Sequence, residues 1–333
     1  DDELDSCGIN RSNAATTISS TLSQILISMG IALSSVNVFM VRIARSADSL
    51  FSVEHVEWSE HPVLKEAVLL AAFTGWNDAG DAATEAVSYL TRRYECQRVA
   101  TIDPEYFYDF ASVRPTVRLE GDDRRIDWPV NEVRVGELDD GRPLVTIVGI
   151  EPRLRWRTFS EALLSVATEL SASTVITLGA LLTDTHHQAP VDVIGASNNE
   201  VINLELGLTP SQYEGPTGII GVLNDVFHRG GFDSLSFWAA VPSYIGHNPS
   251  PKAALALVQQ IVEFLDIPLG ATDLQIAAAS YDRQINELVD SDPNLAEYAQ
   301  QLLDEGAEEL TDMADNPEAM IDELEEFLRQ QDE

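Results

Sequence analysis

Short runs of uncharged apolar residues recur along this chain, at Ala67–Phe73, Leu144–Ile150, Thr174–Leu178 and Ser234–Val241, separated by polar loops and amphipathic stretches. Such runs belong to strands buried on both faces, which occur where helices cover both sides of a parallel sheet. The alternation predicts an α/β fold with a mainly parallel sheet between helical layers. In that arrangement the carboxyl ends of the strands share one edge, where polar loops and free helix-terminal N–H groups collect.

The first run leads into Gly75-Trp76-Asn77-Asp78 and then a helix rich in Ala82, Ala83 and Ala86, with Asn77 or Asp78 placed to cap it. This is either a ligand-binding turn or a plain βα connection. It carries neither GxGxxG nor a following Lys-Ser/Thr, so it is no phosphate-binding fingerprint. The same edge should gather Glu151–Arg157, Leu182–Gln188 and Pro242–His247, with Tyr213–Thr217 as a further loop. The candidate ligand-binding residues are Gly75, Trp76, Asn77, Asp78, Asp184, His186, Tyr213, Glu214, Gly215 and Thr217. They suffice for acid–base chemistry, but no Ser-His-Asp order or nucleophile elbow selects a reaction, and no catalytic residue is assigned. Adjacent His186 and His187 cannot both face one centre from a strand; neither a metal nor a cofactor is expected. Arg153, Arg155 and Arg157 either bind an anion or pair with the protein's own acids, and the charge balance favours pairing.

That balance is a net charge of −35 over 333 residues, which disfavours nucleic acid and anionic membrane surfaces as partners. About half of the excess lies in Ala271–Glu333, where Arg283 and Arg329 are the bases. Here three acidic amphipathic helices are expected, at Asp273–Leu288, Pro293–Leu303 and Pro317–Arg329, each marginal unless it docks. Cys7 and Cys96, with no CxxC, fit a reducing cytoplasm. The apolar run Ile25–Val41 is broken by Ser28, Gly30, Ser34, Ser35 and Asn37, which argues against a membrane span. Met40 opens a stretch that reads as a natural start, so residues 1–39 are expected to be an extension with little structure.

Thr116–Leu119 and Arg125–Trp128 flank a Glu-Gly-Asp-Asp-Arg turn and predict an inserted hairpin within 114–136. Its apolar residues, Val117, Leu119, Ile126 and Trp128, are too many for so small a unit to bury, which makes them oligomer-interface candidates. The expected organisation is an α/β core over 40–270 carrying the hairpin, then an acidic helical subdomain over 271–333 able to close on the strand ends as a lid.

Several segments in order carry a resemblance: FTGWNDAGDAA, DPEYFYDF with VRP, GIEPRLRW, TDTHHQAP, YEGPTGIIG and FWAAVPSYIGHNPSPKA. Together they resemble the family named after the second proteasome assembly chaperone, and more narrowly its actinobacterial branch, over roughly Ser52–Leu265. The resemblance implies a three-layer α/β/α fold like that of nucleoside phosphorylases and some hydrolases, a homotrimer joined through the hairpin, and a helical lid over a ligand pocket. Fold analogy does not supply phosphorylase activity. Where many relatives carry a PHTRP-like stretch this chain has Thr185-His186-His187-Gln188-Ala189-Pro190, which lacks the Arg of an anion site. Two functions stay open. The convergence of polar loops favours the first, an oligomer with a small-molecule pocket, with or without catalysis; the alternative is an assembly chaperone or adaptor that binds a client protein.

Overall fold

A computed structural model of the chain describes residues 55–121, 123–208 and 214–315. The expected extension 1–39, Tyr213 and the expected helix Pro317–Arg329 lie outside the described residues. Numbered in chain order, the strands of the main sheet lie edge to edge as β1 (Val56–Trp58), β3 (Gln97–Ile102), β6 (Asn131–Glu137), β7 (Pro143–Ile150), β2 (Ala67–Thr74), β8 (Ala172–Thr183), β10 (Asp233–Pro242) and β9 (Val193–Ser197). The central strands β7, β2, β8 and β10 are mutually parallel. β6, β9 and β1 run against their neighbours, and β3, antiparallel to β6, points the same way as β7. The loops leaving β3, β7, β2, β8 and β10 therefore emerge at one edge.

The uncharged runs are explained by burial on both faces. In β2, Val68, Leu70 and Ala72 enter one core, while Ala67, Leu69, Ala71 and Phe73 enter the other. Helices α1 (Ala82–Arg93) and α5 (Pro251–Leu265) complete the first core; α2 (Trp156–Glu169) and α4 (Ile219–Arg229) complete the second. This is the three-layer α/β/α architecture. Phe159 meets Phe73 and Phe107 edge-on at centroid distances of 5.7 and 5.3 Å, the geometry favoured by ring quadrupoles. α5 begins at Pro251, and its Ser250 Oγ accepts from Ala253 N at 3.3 Å.

Some boundaries differ from the sequence reading. β8 does not stop at Gly179 but continues to Thr183, paired throughout with β10. Gly179 is there for packing: a Cβ would lie 2.4 Å from the Trp238 ring. Within 114–136, only β4 (Thr116–Glu120) and β5 (Asp123–Asp127) form the separate two-stranded sheet, whereas Asn131–Glu137 joins the main sheet as β6. A short helix, α3 (Glu200–Leu206), follows Asn199, whose side chain accepts from Val201 N.

In the tail, α6 (Thr272–Ser291) and α7 (Pro293–Asp315) form the helical pair. Tyr281, Ile285, Val289 and Ala299 pack with Ile245 and Tyr244 of the turn after β10, making a third, smaller apolar cluster. The Tyr89 hydroxyl donates to Asp273 Oδ1 at 2.9 Å and ties the start of α6 to α1. Among the described residues, no helix is long and apolar enough to cross a membrane.

Candidate functional site

β2 ends beside Gly75, whose φ of 135° is open to glycine and to few other residues; a Cβ there would lie 3.2 Å from Glu151 Cβ. The chain then enters the fold again at Asn77, 1% exposed. Its carbonyl accepts from Ala180 N at 2.8 Å, and its Nδ2 donates to Glu151 Oε1 at 2.6 Å. The same carboxylate oxygen accepts from Ile219 N at 2.9 Å. Glu151 thus caps α4 from the end of β7, because the N-cap residue Gly218 has no side chain to do so. A Cβ on Gly218 would fall 1.9 Å from Asn77 Oδ1, so glycine is required there by close approach.

Asp78 serves α1. Its Oδ1 accepts from Ala83 N at 2.7 Å and Thr84 N at 3.3 Å, and its Oδ2 accepts from the Thr84 hydroxyl. Burial pushes its pKa from 3.8 up to about 6, against the lowering effect of those three hydrogen bonds.

A second group of polar side chains lies at the ends of β8 and β10. The Tyr244 hydroxyl accepts from His187 N at 2.9 Å and bonds His187 Nδ1 at 2.6 Å, while His187 Nε2 bonds Asn286 Oδ1 at 2.8 Å. Tyr244 O–H is placed to donate to Nδ1, and Nε2–H to donate to the amide oxygen of Asn286. Gln188 Nε2 donates to the same Asn286 oxygen. Lys252 Nζ donates to His187 O at 2.7 Å and lies 3.3 Å from Asp282 Oδ1. Asp184 Oδ1, exposed, accepts from Ser243 Oγ and from the Tyr298 hydroxyl. His186 stacks on His187 and its Nδ1 accepts from Gln188 N; burial, helped by His187 and Lys252, lowers its pKa below the ordinary value. The network binds the strand-end loops to α6 and α7. The cavity enclosed between Thr185–Val191 and Tyr281 measures about 10 Å³, close to the least that one water needs.

The candidates therefore separate. Asn77 is buried against Glu151, Asp78 is buried at the start of α1, Gly75 is exposed beside them, and Asp184 and His186 belong to the α6–α7 junction. Trp76 is 67% exposed, and Glu214, Gly215 and Thr217 lie on the surface. Glu151, Tyr244, Lys252 and Asn286 were not among the candidates. Glu151 ends a strand directly before Pro152, which is a visible signal; Asn286 lies on the apolar stripe of an acidic helix, and only docking gives it a role. Arg153, Arg155 and Arg157 are exposed, and among the described residues none is ion-paired, contrary to the expectation of internal pairing.

A cleft of about 420 Å³ on the α1 face of the sheet is lined by Thr91, Arg92, Cys96, Glu132, Arg134 and Thr146, among others. Its arginines already hold Glu85 and Glu132 at 2.7 Å each. Burial raises the Cys96 thiol to about 11, so it is not a reactive nucleophile. The hairpin, by contrast, is two-faced. Val117, Leu119 and Ile126 share one face with Trp128 beyond it, all at least half exposed, while Arg118 pairs with Asp127 at 2.6 Å on the other.

The family model described as PAC2 family matches residues 72–289. A PAC2 family protein from Streptomyces avermitilis is 40% identical, with 70% of this chain and 99% of that chain covered and a TM-score of 0.65. A proteasome-assembly chaperone homologue from Mycobacterium tuberculosis is 41% identical over 69% of this chain and 99% of its own, with a TM-score of 0.64. An archaeal homologue of a proteasome-assembly chaperone, from Pyrococcus furiosus, shares the fold at 18% identity, 75% and 98% coverage and a TM-score of 0.52. No curated protein matches the chain.

Proposed function

The chain belongs to the PAC2 family, and from that premise we propose that it is a protein-binding module of the assembly-chaperone type, working as a homo-oligomer. The observation that carries this reading is the hairpin's exposed apolar face of Val117, Leu119, Ile126 and Trp128, with Leu119 75% exposed. A two-stranded sheet is marginal in water, and a cluster of exposed apolar side chains, here with Arg124 opposite Leu119, marks a surface that another chain covers. In this reading the hairpin joins the protomers, a trimer being the expected stoichiometry. The client is a proteasome-type subunit, by analogy with the mycobacterial homologue. The free thiol of Cys96 fits a cytoplasmic setting.

The competing reading is a small-molecule pocket beneath the helical tail. Ligand pockets occupy about 300–1,000 Å³, against about 10 Å³ between the loop at Thr185–Val191 and α6. Asn77 and Asp78 spend their hydrogen bonds on Glu151 and on the start of α1, which supports a structural role for both. The test is native mass spectrometry of the protein with purified actinobacterial proteasome α- and β-subunits. The reading expects a homo-oligomer that binds unassembled subunits and speeds formation of the full particle. No subunit complex, together with a small molecule retained by the protein, would replace it with the pocket reading.

A further inference from the structure

The carboxyl edge of the sheet is covered unevenly. α6 and α7 close over the ends of β8 and β10 through Tyr244, His187 and Asn286, whereas the loops leaving β3, β7 and β2 carry exposed Trp76, Tyr106, Arg153, Leu154, Arg155 and Arg157. These loops are held to one another. Arg153 N and Leu154 N both donate to Phe107 O, at 2.8 and 3.1 Å. The Arg155 guanidinium lies 5.1 Å from the centroid of the Tyr106 ring, and that ring stacks on His55 at 4.0 Å. Trp76 follows directly on Gly75, which packs against Glu151, two positions before Arg153.

Most arginines elsewhere in the described fold hold a carboxylate. The three on this edge do not, although Asp103 and Glu105 stand on the neighbouring turn. Unpaired arginine beside exposed tryptophan, tyrosine and leucine is the residue mixture of interface hot spots. All three arginines stand exposed on the surface, which suits a macromolecular partner better than a small anion, whose sites are concave. The charge decides what kind of partner. The whole chain carries 55 acidic residues against 20 basic ones, so this patch is a basic island that attracts carboxylates locally while the surrounding field repels a long polyanion.

We infer that this patch docks a short acidic segment of the client protein, with carboxylates reaching Arg153, Arg155 and Arg157 and an apolar side chain resting against Trp76 and Leu154. The inference rests on the protein-binding reading above and names the chemistry of its partner. Arginine is suited to the task because its planar fork meets a carboxylate with two parallel N–H donors.

The test is fluorescence anisotropy with a labelled peptide of Glu and Phe, compared with the same peptide carrying Gln for Glu. Only the acidic peptide should bind, and raising salt from about 50 to about 300 mM should weaken it. The triple variant Arg153→Glu, Arg155→Glu, Arg157→Glu should lose about tenfold or more in affinity while staying folded, its melting temperature lowered only slightly by loss of the exposed Arg155–Tyr106 contact. Trp76→Ala should lose about threefold. Equal binding of both peptides, or undiminished binding by the triple variant, overturns the inference. So does loss of the oligomer in the triple variant, which would make a second copy the occupant. Repeating the subunit-binding measurement with that variant separates the two levels. If the complex survives the charge reversal, this patch is wrong and protein binding stands; if the unaltered protein binds no subunit, the broader reading falls.

Discussion

Asn77 Nδ2 and Glu151 Oε1 lie 2.6 Å apart, joining positions separated by 74 residues at the ends of adjacent parallel strands. Because the same oxygen accepts from Ile219 N, one buried carboxylate organises the ends of β2 and β7 and the start of α4. Three elements depend on one side chain. Glu151→Ala should leave two buried donors unpaired and cost about 2–4 kcal/mol, while Glu151→Gln, which keeps an acceptor, should cost about 1 kcal/mol. Urea unfolding measures both, and equal losses would mean that the acceptor is not what matters.

Asp78 imposes a pH dependence. Its folded pKa of about 6 exceeds the unfolded 3.8, so its stability contribution is fully present below pH 3.8 and is lost as pH rises through about 6. Asp78→Asn keeps a competent helix cap but has no such titration. The variant should gain on the unaltered protein by roughly 2–3 kcal/mol between about pH 4 and pH 7. Parallel stability curves across that window would show that Asp78 is not held protonated by burial.

Gly218 and Asn77 should behave as a coupled pair. The Cβ of Gly218→Ala would overlap Asn77 Oδ1, costing about 1–3 kcal/mol as the two loops separate. Asn77→Ala removes the overlap, so the double variant should be less destabilised than the sum of the single ones. Strict additivity in a double-mutant cycle would contradict the close approach.

The docking of α6 is testable on its own. Asn286→Ala removes the acceptor shared by His187 Nε2 and Gln188 Nε2. Amide exchange over Thr272–Ser291 should quicken by roughly tenfold while the strands of the main sheet keep their protection. Uniform acceleration throughout the protein would instead place α6 within the global folding unit.

The hairpin prediction concerns assembly. Leu119→Asp with Ile126→Asp places two charges on the exposed apolar face and should convert the proposed homo-oligomer to monomer in light scattering, while changing monomer stability by only about 0.5 kcal/mol. An unchanged mass would remove the hairpin from the interface.

The sequence by itself determined the layers. Uncharged runs such as Ala67–Phe73 are legible because a strand with both faces buried tolerates no charge, and Ser250-Pro251 marks a helix start through local capping alone. Even the hairpin's two faces follow from alternation along Thr116–Asp127. What only the tertiary structure decided is how distant polar groups pair. Glu151 caps α4 from the end of another strand, Asn286 meets His187 across the tail, and position 179 within β8 is glycine because Trp238 needs the space. Glu151 is conspicuous in the sequence as the acid between a strand and Pro152, but none of these pairings leaves a local signature, since each is a contact between residues far apart in sequence. The same reason made the expected internal pairing of Arg153, Arg155 and Arg157 wrong: a chain's net charge says how many acids are available, but only the fold sets which of them come within reach.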